Sequence, residues 1–390
     1  MLAESVSCES IGVNTHEHTI ISVTGSDSPP SHPRNLVLAT LSNKLGSRSH
    51  GAVQQDFGEE TLADAHPPDA QTARAPSRRA FLQLATAAAG GLFFGPRLAA
   101  QERSKVVLAR GDDLRADSGA LRYDCVLDLL GRAIALLAGE QTLALARSRF
   151  FSTNDEVAVQ IATSPVAVAP EVVDAAVTTA ARAGVSPERL FIYSADEAEL
   201  YRAGFALRRE GPGVRCYGAS SEGYRDSLTN LLSSDVTVLV NLPSLAPDLR
   251  AGLAGALRNF VNSVKPSYAH ECSADGGAGL PAIAAERAIR SRTRLHVMDC
   301  LRPAYDLPGG SSPPPRWDYN GLLVSTDPVA LDTVATHLLL AKRREVRGAE
   351  WPLDPYPLHI EIAASKYRLG VADLASIDLL RLGPMKAALI

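Results

Sequence analysis

Aromatic residues are scarce, at 5 %, and basic residues are not in excess: the formal net charge is -4. Neither a base-stacking platform nor a footprint for a phosphate backbone is indicated, so no nucleic-acid partner is expected. The five cysteines stand at positions 8, 125, 216, 272 and 300, with no C-x-x-C pair. That spacing carries neither a zinc ribbon nor a ferredoxin-type cluster motif. No G-x-G-x-x-G follows a strand pattern and no G-x-x-x-x-G-K-[ST] occurs, so a dinucleotide or P-loop nucleotide site is not indicated. G-x-S-x-G is missing too, and no serine stands near a histidine in a recognised nucleophilic arrangement. No apolar run approaches the ~20 residues of a bilayer span.

What is present is a chain of 390 residues, 46 % hydrophobic and 21 % charged. This is a globular composition, long enough for one large or two ordinary domains. Residues 1–76 are rich in Ser, His, Pro and Gly with little periodicity, and read as disordered or as a mis-assigned extension. No methionine falls between Met1 and Met298. A GTG or TTG start at Val53 or Leu62 would place the next segment at a normal distance from the start. That segment, residues 77–100, begins with Ser77, Arg78, Arg79, Phe81 and Leu82. It matches a twin-arginine export signal, with a mildly apolar core to Phe94, Pro96, and small residues Ala99 and Ala100 before Gln101. The alternative is a buried amphipathic helix, disfavoured because the apolar residues are contiguous rather than spaced at helical period. The expectation is export to the periplasm or outside the cell by the twin-arginine machinery, with no stable membrane span after cleavage. No cysteine follows the core, which argues against a lipid anchor. Cys272 and Cys300 could pair in an exported chain, although spacing alone does not establish it.

From residue 101 the pattern alternates strand and helix. Strands are predicted at Ser104–Arg110, Asp155–Ala162, "LFIYSA", "VRCYGAS", Asp235–Leu245, "LHVMDCL", "GLLVS" and "SIDLLRLG". Helices are predicted at Leu121–Leu137, from Pro170 to about Ala183, Asp196–Leu207, Leu249–Val264, Leu280–Ile289, after Asp327, and around Leu358–Tyr367. This order predicts an α/β fold for residues 101–390, a mostly parallel sheet with helices on both faces. Ligands in such sheets bind outside the carboxyl ends of the strands. That rule picks out Thr163-Ser164, Asn241, Asp299 and Thr326-Asp327 as one rim.

Several polar residues need a reason. Asp327-Pro328 is first a helix start. Asp332 lies among Val329, Leu331 and Val334, where a carboxylate needs a partner, a metal or a water-filled cleft. Arg258-Asn259 sits in an apolar stretch; the arginine could bind a carboxylate or phosphate, or pair with a neighbouring aspartate. Asn241 ends a strand and could simply bond a turn. His270, with Asp299 or Asp332, is the best candidate set for a divalent metal, against a plain loop histidine. "GGSSPPPRW" (residues 309–317) reads as a flexible loop or a lid over the rim.

"DVTVLVNLPSL", "GLAGALRNF", His270, "VMDCLRPAYD" followed by "GG", and "LLVSTDPVALD" occur in that order. Their order and spacing resemble the domain of unknown function 362 family over roughly Asp155 to Gly383, and "APEVVDAAVTTAARAGV" fits its early helix. The resemblance implies the same α/β fold and often a twin-arginine signal, but no general activity. Some relatives carry an added ferredoxin-type segment; here no cysteine follows Cys300. The chain also departs from the family's polar pattern. The lysine expected after "NLP" gives way to Ala246-Pro247-Asp248, "KN" to Arg258-Asn259, and an early Lys-x-Asn to Gln160-Ile161-Ala162. Arginine does not replace the compact charge of lysine.

The expected function is binding of a small anionic ligand or a metal in a cleft at the strand ends, with Asn241, Arg258, Asn259, Asp327 and Asp332 as ligand-binding candidates. The rivals are a metal-dependent enzyme acting on a small acid, and a non-catalytic accessory protein of a redox or maturation system. Convergence of His270, Asp299 and Asp332 would favour the enzyme; separate hydrogen-bond networks would favour the accessory protein.

Overall fold

The computed structural model describes residues 103–233, 236–308 and 312–390. The proposed extension and export signal, with Arg78, Arg79, Phe81 and Leu82, lie outside the described residues. The main sheet has eight strands: β1 (Ser104–Arg110), β2 (Val157–Ile161), β3 (Leu190–Ser194), β4 (Arg215–Gly218), β5 (Val238–Leu242), β6 (Thr293–Cys300), β7 (Gly321–Ser325) and β8 (Ile377–Leu382). Their spatial order is β8-β1-β7-β6-β5-β2-β3-β4. Every pairing is parallel except those of β7, which runs antiparallel to both β1 and β6.

That reversal corrects the expected rim. Ser325 at the end of β7 pairs with His296 near the beginning of β6, whereas Cys300 at the end of β6 pairs with Gly321 at the beginning of β7. Thr326-Asp327 therefore lies at the rim opposite Thr163-Ser164 and Asp299. The apolar character of a buried strand carries its burial but not its direction.

Helices cover both faces. On one face α1 (Tyr123–Ala138) and α2 (Pro170–Ala181) pack on Val107, Val157, Val159, Val240 and Val297. Gly139 closes α1 in a left-handed conformation, and Pro170 occupies the first turn of α2, where its missing N–H costs nothing. A short helix, α3 (Glu197–Arg202), follows β3, with Asp196 capping it through Ala198 N–H. The other face carries α4 (Ala256–Asn259), α5 (Pro266–Cys272), α6 (Leu280–Ala285), α7 (Pro328–Arg347) and α8 (Leu358–Ser365). The core there includes Ala158, Leu239, Met298 and Leu323 of the sheet, with Leu257, Phe260, Leu331 and Leu338 above them. At α7 the capping expectation holds in full: Asp327 Oδ1 accepts from Val329 and Ala330 N–H at 2.8 and 2.9 Å, and Pro328 follows.

Two expectations fail locally. Leu249–Val264 is not one helix. Ala246–Asp248 pairs antiparallel with Gly252–Ala254, and only then do α4 and a 3-10 turn at Phe260–Ser263 begin. Asp248 Oδ1 accepts from Arg250 and Ala251 N–H, which fixes the turn. Gly252 has φ +80°, and a Cβ there would meet Pro355 O at 2.2 Å. The suggested Cys272–Cys300 bridge is also absent. Both are free buried thiols, Cys272 in α5 beside Tyr268 and Cys300 at the end of β6.

Candidate functional site

The strands β2 and β5 each carry one polar residue in an apolar run, Gln160 and Asn241, and β6 carries His296 between Leu295 and Val297. Register aligns them. Tyr193 pairs with Gln160, Gln160 with Asn241, Asn241 with His296, and His296 with Ser325. Because successive side chains alternate faces, all point toward α4. A polar row thus crosses the buried face of the sheet, and Tyr193, Gln160, Asn241 and Ser325 have no solvent exposure.

Residues after Gly255 satisfy most of this row. Asn259 Nδ2 donates to Asn241 Oδ1 at 2.7 Å, and Asn241 Nδ2 donates to Ala256 O at 2.9 Å. Gln160 Nε2 donates to Asn259 O at 2.8 Å and Ser263 Oγ at 3.0 Å. Ser263 meets the Tyr193 hydroxyl at 2.9 Å, and Asn262 Nδ2 donates to Ile161 O and Asn259 Oδ1. Gln160 Oε1 is left without a hydrogen-bond partner. Buried networks of this kind fix one geometry, because each unmade bond in a low-dielectric interior is costly.

Asp332 ties α7 to the same place. Its carboxylate is fully buried and accepts from Ala256 N–H at 2.6 Å and Leu257 N–H at 2.9 Å, holding the first turn of α4. Burial pushes its pKa up to about 7, opposed by those two N–H groups and assisted by the charge of Asp327. Gly255 makes room for it: a Cβ there would stand 2.3 Å from Asp332 Oδ1. The partner that sequence logic demanded for this carboxylate is therefore backbone N–H.

Above the seam lies a cleft of about 440 Å³ at the carboxyl ends of β2, β3 and β4. Thr163, Ser164, Glu199, Arg202, Arg258 and Asn262 are among its lining residues. Thr163 donates to Glu199 Oε2 at 2.7 Å. Arg258 Nε donates to Asp248 Oδ2 at 3.2 Å, and Asp248 is itself held by its turn. The terminal nitrogens of Arg258 have no hydrogen-bond partner among the described residues. The ion pair foreseen as the plain role of Arg258 is present, and it occupies one edge of the guanidinium.

The sequence candidates thus divide. Asn241, Arg258, Asn259 and Asp332 meet around α4, the two asparagines beneath it and Arg258 in the cleft wall. Asp327 stands apart, capping α7 and also accepting from Ser104 Oγ and Val371 N–H. The metal candidates do not converge. Asp299 uses its two oxygens on Ala169 and Leu301 N–H, both at 2.8 Å. His270 lies in α5 rather than in a loop, with the Arg250 guanidinium against its ring nitrogens at 2.8 Å. A fixed positive charge in that place opposes a cation. Among the described residues no group of three His, Cys, Asp or Glu side chains is placed to hold a metal. The lid candidate lies partly outside the described residues, and its end at Pro315–Trp317 is bonded to Pro303 and Tyr305.

Gln160, Glu199, Asn262 and His296 were not singled out as site residues from sequence. For Gln160 the signal is a lone polar residue inside a buried strand, and for His296 a polar residue flanked by Leu295 and Val297. Glu199 and Asn262 gave none, because only the tertiary fold brings them to the cleft and the seam.

No curated protein and no solved structure matches this chain. A family model does: Domain of unknown function (DUF362) matches residues 222–337. The matched span runs from the loop after β4 to the middle of α7 and contains Asn241, Asp248, Arg258, Asn259 and Asp332. Resemblance to that family is thereby supported over the segment that builds α4 and its polar anchors.

Proposed function

We propose that this domain binds a small molecule bearing a carboxylate or phosphate in the cleft at the carboxyl ends of β2, β3 and β4, with Arg258 as the anchor. The observation that carries the reading is the half-committed guanidinium. Asp248 fixes Nε, while the terminal nitrogens are left to the cleft, so the fork is oriented before an anion arrives. Glu199, Thr163 and Asn262 suit hydroxyl or amino groups on the rest of the ligand. Two carboxylates, Asp196 and Glu199, also line the cleft, but among the described residues no group of three metal-capable side chains is placed to hold an ion, and this favours anion binding over the reading as a metal-dependent enzyme. Export through the twin-arginine pathway, directed by Arg78-Arg79, belongs to the same proposal. N-terminal sequencing of the processed protein would test it, with Gln101 the expected first residue and an uncleaved Arg78-Arg79 segment the refuting one.

The ligand reading is tested by thermal shift and calorimetry with orthophosphate, succinate and citrate against the native chain and Arg258→Lys. Lysine keeps a charge for Asp248 but loses the fork. A saturable stabilisation of the native chain, weakened at least tenfold in the variant at unchanged unliganded Tm, is expected; such a loss corresponds to about 1.4 kcal/mol. Equal responses of the two chains would sink the proposal.

A further inference from the structure

At the opposite rim, between the beginning of β6 and the segment after β7, lies a second cavity of about 200 Å³. Its walls include the apolar Phe260, Ala284 and Leu369 and the polar His296, Arg290 and Thr326, with no acidic residue. Its volume falls below the range of drug-sized pockets, so any occupant is small.

The tautomer of His296 follows from its neighbours. Asn241 has its amide orientation set on both sides, since Oδ1 accepts from Asn259 and Nδ2 donates to Ala256 O. Nδ2 therefore also donates to His296 Nδ1, at 3.1 Å. That leaves the proton on Nε2. The ring is 2 % exposed, and Nε2–H has no hydrogen-bond partner among the described residues. Burial lowers the pKa of His296 to about 3, so the ring stays neutral at physiological pH and this tautomer persists. Phe260 meets the ring edge-on, with centroids 6.0 Å apart. The side-chain hydrogen bonding of His296 is confined to Asn241, and the residue lines the cavity. Arg290, a solvent-exposed residue, also lines the cavity and makes one long contact, 3.4 Å to Arg368 O, so its guanidinium is available at the cavity's edge.

We propose that this cavity is a second binding site, for a small monocarboxylate with a compact apolar body, whose carboxylate is received by His296 Nε2–H and Arg290 while the body packs on Phe260, Ala284 and Leu369. The site is independent of the cleft, because the residues and the rim are different. Its probe is benzoate, with toluene as the same body lacking an acceptor. The full chain, labelled at the histidine ring nitrogens, is titrated and followed by NMR. A saturable shift of one neutral histidine's Nε2 is expected, with benzoate binding at least tenfold tighter than toluene. Arg290→Met weakens benzoate at least tenfold, Ala284→Leu fills the cavity and abolishes the shift, and Arg258→Lys leaves it unchanged. His296→Phe is the direct variant, but it strands Asn241 Nδ2, so the filling variant carries the test if that chain does not fold. Equal affinity for toluene would reduce the cavity to an apolar void. No saturable shift, or a shift lost in Arg258→Lys, would overturn the proposal.

Discussion

Asp332 gives the sharpest test of the architecture. Its carboxyl group moves from an ordinary value of 3.8 to about 7 on folding, chiefly because it is buried. The sign follows from proton counting. Between pH 3.8 and about 7 the folded chain holds a proton here that the unfolded chain has lost. Stability from this group is therefore complete below pH 3.8 and is lost as pH rises through 7, by about 4 kcal/mol in all. An asparagine in its place is the neutral isostere of the protonated acid: the amide oxygen accepts one of the N–H groups of Ala256 and Leu257, and no charge is buried. Urea unfolding of the native chain and Asp332→Asn, at fixed temperature from pH 5 to pH 7, isolates the residue, since other titrations cancel in the difference. The difference in unfolding free energy should move by about 2 kcal/mol in the variant's favour across that range. A pH-independent offset would refute the reasoning. It would mean that the two backbone N–H groups keep the carboxylate ionised throughout and outweigh its burial.

Other outcomes follow from the same geometry. Gly255→Ala puts a methyl on Asp332 Oδ1 and displaces the carboxyl group; with a buried N–H left unpaired costing about 1–3 kcal/mol, loss of the bonds from Ala256 and Leu257 should unfold the chain in markedly less urea. Asn241→Leu strands Ala256 O, His296 Nδ1 and Asn259 Nδ2 together, and a loss of about 3 kcal/mol or more in chemical denaturation is expected, against under 1 if the seam were dispensable. Thiol titration of the processed chain should label Cys125 alone before denaturation and Cys216, Cys272 and Cys300 after it, because those three are buried and unpaired; failure of Cys272 and Cys300 to react under denaturing, non-reducing conditions would reveal a disulfide.

Local chemistry made much of this fold legible. Pro170 and the Asp327-Pro328 pair mark helix starts by mechanisms that act over a few residues, and the structure uses them in that way. The reversal of β7 was not legible, because a run such as Gly321–Ser325 is buried on both faces in either direction. The hairpin around Gly252 was read as helix because the turn depends on one carboxylate, Asp248, bonding its own backbone. Of the site, the unusual residues were visible and their company was not. Asn241, Arg258, Asn259 and Asp332 each stood out singly; the row joining Gln160, Asn241 and His296 exists only through strand register, which a one-residue slip would destroy.

The positions where this chain departs from the polar pattern of the family it resembles are neighbours in space. Gln160 donates to Asn259 O, and Asp248 holds Arg258, the residue before Asn259. The departures therefore act as one set. Among the described residues, no carboxylate hydrogen-bonds to Gln160, Asn241, Asn259 or Ser263, so the seam is built for neutral partners. Restoring a lysine singly, Gln160→Lys, would drive an ammonium into that neutral seam. With a buried lysine losing about three pKa units, the cost is roughly 4 kcal/mol at neutral pH. The variant should consequently regain stability, relative to the native chain, as pH rises from 7 toward 10 and the amine loses its charge. A stability gap of under 1 kcal/mol that does not change with pH would show that a counter-charge reaches position 160, and the seam would then have kept the electrostatics of a lysine-bearing site.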